Sequence, residues 1–358
     1  MLNRGALTQC KLFNDDNFFD VKFPRPQYLG SKNLLSEWIF SFVPNGVRNV
    51  LDAFAGSHSV AFECKRRGYN AISNDIMKFS SSIGLALIEN NCTELTMEDI
   101  TFLTKNTSNA KSDLMQVFAN IFFSPQECHF LDNFRANVNL LSCTIKQALA
   151  LTILNRALTR KTTMGHFAHL QAITYANDPE RVRRNPSIAK TIEDLFLSLT
   201  PQYNQAVFNN NKENKSYNEN ILELLPKLND IDLVYFDPPY VGSHSDYQSF
   251  YHLLETYTQY WQDKQFVNGT KRYHPYIETN FDTIGEAEKS FNQLFDLSKN
   301  IPIWLVSYND RSHPTQDEML KILQKFKKNI VLHQKTYANS RGGRGSVKGS
   351  KELLFVCI

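Results

Sequence analysis

The run Leu233-Val234-Tyr235-Phe236, followed at once by Asp237-Pro238-Pro239-Tyr240, constrains this chain more than any other segment. Four apolar residues read as a strand. Two consecutive prolines fix φ and remove two backbone donors, so the strand has to stop there. A carboxylate and the adjoining carbonyl are then held stiffly at a strand's C-terminal edge, which is where open α/β sheets bind their ligands. The same residues also serve simply to end a strand and to pack a tyrosine, so the surrounding pattern has to decide between the two uses.

That pattern is an α/β alternation. Residues 47–54 read as a strand ending in a turn, residues 59–67 as a helix stopped by Gly68, and residues 71–75 as a second strand. Further strands are expected at 233–237, 301–308, 329–337 and 351–357. The last two flank the Gly-rich stretch Arg341 to Gly349 and read as an antiparallel hairpin. Ser31 is placed to cap a helix over residues 32–42, with Pro44 beyond its end. From about residue 87 to 208 strand signals vanish and helical patterns such as Ile145 to Leu158 dominate, so this block reads as an inserted helical domain. The polar run Asn209 to Asn220 that closes it reads as an exposed loop. The expected organisation is an N-terminal extension (1–25), a sheet-forming domain (26–86 and 209–358) and the insertion (87–208).

Two other segments carry chemistry. Asp52-Ala53-Phe54-Ala55-Gly56-Ser57 lies between the first strand and its helix, and its small residues let the backbone approach a ligand closely. Asp75 follows 23 residues after Asp52, at the end of the next strand, where an acid is well placed to bind ribose hydroxyls. The loop has no dinucleotide fingerprint, and a ligand without phosphates needs none. Tyr28-Leu29-Gly30-Ser31-Lys32 opens the first helix, where Lys32 and the helix N-terminus are suited to an amino-acid carboxylate.

Composition excludes more than it assigns. No stretch approaches the roughly 18 consecutive apolar residues of a membrane span, and the first residues lack the apolar core of a secretion signal, so a cytoplasmic protein is expected. The six cysteines are scattered, and no structural metal site is expected. Net charge is only +3, but nine Lys or Arg and no acid lie between Lys321 and Lys351. A second basic group comprises Arg156, Arg160, Lys161, Arg181, Arg183 and Arg184. Such patches neutralise phosphates, although taken alone they are more often solvated faces.

In order, the three motifs resemble the Dam-like family of S-adenosylmethionine-dependent N6-adenine DNA methyltransferases, over roughly residues 26–358. The resemblance implies a Rossmann-like mixed sheet ending in an antiparallel hairpin, with a helical target-recognition insertion. It implies that Tyr28 and Lys32 border the methionine end of the donor, and that Asp52, Phe54 and Gly56 form the donor loop. Asp75 then holds the ribose, Asn220 stands near the donor's adenine where the family often has Asp, and Asp237, Pro238, Pro239 and Tyr240 form the catalytic motif. Lys351-Glu352-Leu353-Leu354 matches a closing strand motif, and Ser307-Tyr308-Asn309 falls at a pocket-lining strand end. His58 replaces a second glycine of the donor loop, a change expected to narrow the pocket or alter the loop. Residues 243–252 resemble a loop that closes on the target base, with His244 a surface residue rather than a base.

The chemistry suits these residues. The lone pair of the adenine N6 amine is delocalised into the ring. Two acceptors, Asp237 and the Pro238 carbonyl, would favour a pyramidal nitrogen aimed at the methyl donor, with Tyr240 offering a face to the extruded base. Double-stranded DNA is the implied substrate. Arg160, Lys161, Arg183 and Arg184 are candidate base or phosphate contacts, and Arg341, Arg344 and Lys348 a candidate phosphate clamp. A monomer, working beside a cognate restriction endonuclease, is the implied setting. The alternatives are the same chemistry on RNA adenine, cytosine N4 or a side-chain amide, and a catalytically silent nucleic-acid-binding subunit. Asp rather than Ser or Asn before the prolines favours adenine, and the intact Asp75, Asp237 and Tyr240 oppose a silent subunit.

Overall fold

A computed structural model describes residues 18–108, 110, 114–162, 165–167, 173–174, 177–241, 246–260, 266, 281, 284–336 and 351–358. Seven strands join in one sheet: β1 (Asn49–Asp52), β2 (Asn70–Asn74), β3 (Lys215–Tyr217), β4 (Leu233–Phe236), β5 (Ile303–Asn309), β6 (Ile330–Thr336) and β7 (Lys351–Cys357), in the order β3-β2-β1-β4-β5-β7-β6. The pairs from β3 through β5 are parallel, whereas β7 runs antiparallel to both β5 and β6. The expected hairpin is present, paired from Ile330↔Cys357 to Thr336↔Lys351, and it enters the sheet by its second strand. Strand order reverses between β1 and β4, which opens a crevice at the carboxyl ends of the strands.

Period-2 alternation explains why both faces are covered. Val50, Leu233, Tyr235, Leu305 and Leu354 point into one buried cluster, while Leu51, Val234, Phe236, Val306 and Phe355 point into another. The first cluster contains α1 (Ser36–Phe40), α2 (Ser59–Arg66) and α3 (Lys78–Gly84), and it continues into the helical block. That block comprises α4 (Met97–Thr104), α5 (Pro125–Leu140), α6 (Thr144–Arg160), α7 (Pro179–Arg184) and α8 (Ile192–Asn204), with no strand among its described residues. Because α6 packs directly on α3, the block shares one continuous core with the sheet. The remaining α-helices among the described residues are α9 (Ile221–Leu224), α10 (Tyr247–Gln259), α11 (Ile284–Leu297) and α12 (Gln316–Leu323). Ala287 and Phe291 of α11 and Met319 and Leu323 of α12 fill the second cluster.

Three sequence expectations are revised, and the start of the described chain is placed. The helix expected over 32–42 is split into a short 3-10 turn, Lys32–Leu34, capped by Ser31, and α1. The polar run Asn209 to Asn220 is not simply an exposed loop. Asn214 Oδ1 accepts from the Ala71 amide (2.9 Å) and Asn210 Nδ2 donates to the Tyr69 carbonyl (2.8 Å), which docks β3 on β2. The described part of the N-terminal extension is tied to the fold, since Phe19 N donates to Arg66 O (2.9 Å) and Phe23 packs on Phe62. The stretch expected to be a loop over 243–252 is helical from Tyr247 onward, while His244 lies outside the described residues.

Candidate active site

Three parallel strands deliver the functional residues to one edge. β1 ends at Asp52, β2 runs into Asp75, and β4 ends one residue before Asp237. The loop after β1 is pinned to both neighbours: Ala53 N donates to Tyr235 O (3.0 Å), and Ala55 N to Asn74 O (2.9 Å). Asp75 completes the cradle, its two oxygens accepting from Gly56 N and Met77 N, each at 2.8 Å. Gly56 adopts φ +49°, and a Cβ there would lie 2.9 Å from the Tyr28 ring, so only glycine fits this turn. The Tyr28 ring is itself held by stacking on Tyr251, with ring centres 4.7 Å apart.

These elements line an open cavity whose empty space, its solvent-filled mouth included, is about 990 Å³. Tyr28, Lys32, Asp52, Phe54, Gly56, Asp75 and Asn220 all line it, as do Asp237 and Pro239. All seven candidate donor-site residues are thus brought together. Pro238 and Tyr240 are not among the lining residues. Asn220 arrives because Asn74 grips the preceding residue, accepting from Glu219 N and donating to Glu219 O, both at 3.1 Å. Its side chain caps α9 by accepting from Leu222 N (3.0 Å).

Asp52 lies almost wholly buried. Oδ2 accepts from Ala61 N (3.0 Å), while Oδ1 has no hydrogen-bond partner among the described residues. Burial, and then the nearby Asp237, push its carboxyl well above the ordinary range. Burial likewise pushes Asp75 up to about 6.

Asp237 is the centre of a charged cluster. Its Oδ2 lies 2.8 Å from Lys32 Nζ, and its Oδ1 2.8 Å from the Tyr240 hydroxyl. Burial raises the carboxyl and Lys32 lowers it, followed by Glu352, which raises it, for a net value of about 6. Lys32 therefore departs from its expected role. It lines the cavity, yet its ammonium also lies 3.5 Å from Glu352 and donates to Gly30 O (3.1 Å). The buried Glu352 and the partly buried Asp237 need a compensating cation more than a ligand carboxylate does. Tyr240 departs too: its hydroxyl is turned onto Asp237 and its ring lies beneath Lys32 Nζ at 4.9 Å, rather than being a face in the cavity.

His58 does not narrow the pocket. Its residue sits in the left-handed region (φ 58°), and the buried ring points beneath the loop, with Nε2 3.3 Å from Ser80 Oγ. Gly84 makes the room, since a Cβ there would lie 2.5 Å from His58 Cε1. Burial lowers the His58 imidazole to about 3, so it stays neutral.

The basic candidates divide. Arg183 and Arg184 are exposed (72% and 76%), each within ion-pair distance of Glu180. Arg160 is half-buried at the end of α6. Lys161 is a correction: its Nζ lies 2.9 Å from Glu127 and donates to the carbonyls of Ile188 (3.0 Å) and Lys190 (2.7 Å), so it braces the helical block rather than facing DNA. Arg156 is similarly used, donating to Arg25 O and Gln27 Oε1. Arg341, Arg344 and Lys348 lie outside the described residues. Tyr247 and Gln248, from the stretch expected to close on the target base, also line the cavity, as does Phe281, which carried no sequence signal because it lies far from the motifs.

A sheet of this order, with its last hairpin reversed and an acid-lined cavity at the switch point, is that of a Rossmann-like methyltransferase. The sequence matches the D12 class N6 adenine-specific DNA methyltransferase family over residues 28–304, and the chain belongs to that family. Its activity is accordingly the methylation of adenine in DNA at N6. It is similar to the Type II methyltransferase M2.HphI of Haemophilus parahaemolyticus, with 34% identity covering 94% of this chain and 98% of the relative. Similarity extends to M.FokI of Planomicrobium okeanokoites (26% identity, 83% of this chain) and to modification methylase StsI of Streptococcus sanguinis (25%, 91%). The chain spans only about half of each of those two, 46% and 50% of their lengths. Among the described residues, no helix is long and apolar enough to cross a membrane.

Proposed function

We propose that the chain binds S-adenosylmethionine in the switch-point cavity and methylates an adenine swung out of a specific double-stranded DNA sequence. The observation that carries this reading is that Asp237 lines the same cavity as Asp75, so one space adjoins both the acceptor and the donor cradle. The residues fit the donor chemically. Asp52 Oδ1 is a buried acceptor suited to the donor's ammonium, and Asp75 retains acceptor capacity for ribose hydroxyls beyond its two amide bonds. Tyr28, Phe54, Gly56 and Asn220 all line the cavity; Tyr28 would border the donor's methionine end, Phe54 and Gly56 would shape the wall, and Asn220 would lie near its adenine.

When bound, the donor supplies an electrophilic methyl group on a sulfonium. The protein's part is orientation. Asp237 and the Pro238 carbonyl each accept one N–H of the target amine and aim its lone pair, while Pro239 stiffens the turn. Lys32 keeps Asp237 ionised at neutral pH. The product amine is cationic and sheds its proton readily, so no strong base is needed. The helical block (87–208) would read the target, with Arg160, Arg183 and Arg184 at the phosphates or bases, and Arg341, Arg344 and Lys348 as a further clamp. The names of the relatives, Type II methyltransferases and a modification methylase, support a role in restriction–modification, and the proposed setting is a cytoplasmic monomer working beside a cognate endonuclease.

The test is nucleoside mass spectrometry of duplex DNA treated with the protein and labelled S-adenosylmethionine. The expected product is N6-methyladenine. Label found only in cytosine, RNA or protein would overturn the reading.

A further inference from the structure

Glu352 stands outside the roles assigned so far. It is the second residue of β7, its side chain is 0% exposed, and it reaches the site because β7 pairs antiparallel with β5, setting Glu352 opposite Asn309. A buried carboxylate in a strand is costly unless it is bonded and paired. Glu352 Oε1 accepts from Ser307 Oγ (2.6 Å), lies 2.8 Å from the Tyr240 hydroxyl and 3.5 Å from Lys32 Nζ.

The geometry poses a problem for the reaction. Both oxygens of Asp237 are engaged, Oδ2 by Lys32 and Oδ1 by Tyr240. The incoming amine needs one of them. A tyrosine hydroxyl has one proton to donate, and here two carboxylate oxygens stand at the same 2.8 Å from it. We infer that Glu352 is a positioning residue whose carboxylate takes over the Tyr240 proton when the target amine arrives, freeing Asp237 Oδ1 to accept the amine N–H. The exchange swings one hydroxyl hydrogen from one acceptor to another. No bond to a heavy atom breaks, the Tyr240 hydroxyl is never left unbonded in the low-dielectric interior, and Lys32 stays between the two carboxylates throughout. Ser307 fixes the Glu352 oxygen at the correct distance. Without Glu352, Tyr240 would have Asp237 as its acceptor and would compete with the substrate for it.

The inference rests on Asp237 accepting the amine, and the experiment separates the two ideas. Single-turnover methyl transfer to duplex DNA is measured for the wild type, Glu352→Gln, Tyr240→Phe and the double variant, with donor affinity measured on each protein alone. Glu352→Gln is expected to slow transfer by about tenfold in the wild-type background and by less than about threefold in the Tyr240→Phe background, with donor affinity unchanged. Glu352→Asp, which withdraws the acceptor from Tyr240 but keeps a charge beside Lys32, is expected to show the same background dependence, and it substitutes if the Gln variant does not fold. An equal loss in both backgrounds, or no loss in either, would overturn the role of Glu352. A wild type that makes no N6-methyladenine would instead overturn the proposed function.

Discussion

Asp237 is held in tension by its neighbours: burial raises its carboxyl, Lys32 lowers it, Glu352 raises it and Tyr240 lowers it by hydrogen bonding. The acceptor role requires the ionised form, so kcat/KM should fall as pH drops through about 6. Replacing Lys32 with Met removes the cation that favours ionisation. The acid limb of the profile should then move to higher pH by roughly one unit or more, and an unmoved or lowered limb would contradict the Lys32–Asp237 pairing. The sign for stability is opposite to that for activity. A carboxyl whose folded value lies above its unfolded one binds its proton more tightly in the folded state, so ionising Asp237 lowers stability as pH rises from the ordinary Asp range through about 6. At this scale Asp237 was legible, because two prolines after an apolar strand leave few alternatives. The partners of Lys32 were not, because Glu352 is brought alongside only by strand pairing late in the chain.

At the scale of elements, one stretch of basic letters separates into different jobs. Lys161 caps α6 and satisfies two carbonyls and Glu127 at 8% exposure, whereas Arg183 and Arg184 ride on the exposed face of α7. Charge alone could not divide them, since burial depends on how α6 meets the turn after α7. Lys161→Met should lower unfolding stability by about 3 kcal/mol, because it strands a mostly buried carboxylate and two carbonyls. Equilibrium denaturation reads this directly, and an unchanged midpoint would return Lys161 to the list of DNA contacts. The paired change Arg183→Ala with Arg184→Ala should leave stability and donor affinity intact. If both touch phosphates, it should weaken DNA binding and reduce the slope of log K against log salt by about 1.8. An unaltered slope would remove α7 from the interface. The strand β3 was missed for a related reason: it is a three-residue edge strand in a polar run, docked by buried asparagines instead of by apolar alternation.

For the whole molecule, most of the architecture could be read from the chain. Six of the seven strands, the interrupted alternation and the terminal hairpin follow from apolar periodicity and turn residues. The continuity of the core between sheet and helical block does not, because it depends on which helix faces meet. Nor does the position of β7 between β5 and β6, which carries Glu352 into the site. The fold's contribution to function is to bring the ends of β1, β2 and β4 to one cavity, so that donor cradle and amine acceptor are separate groups of residues around a shared space. Those two groups should therefore be separable by substitution. The most direct measurement is Asp237→Ala assayed twice, for S-adenosylmethionine affinity and for single-turnover transfer to duplex DNA. The account predicts transfer slowed on the order of 10²–10³-fold or more with donor affinity nearly unchanged. Transfer near the wild-type rate, or donor binding lost along with it, would contradict the assignment of Asp237 as the acceptor.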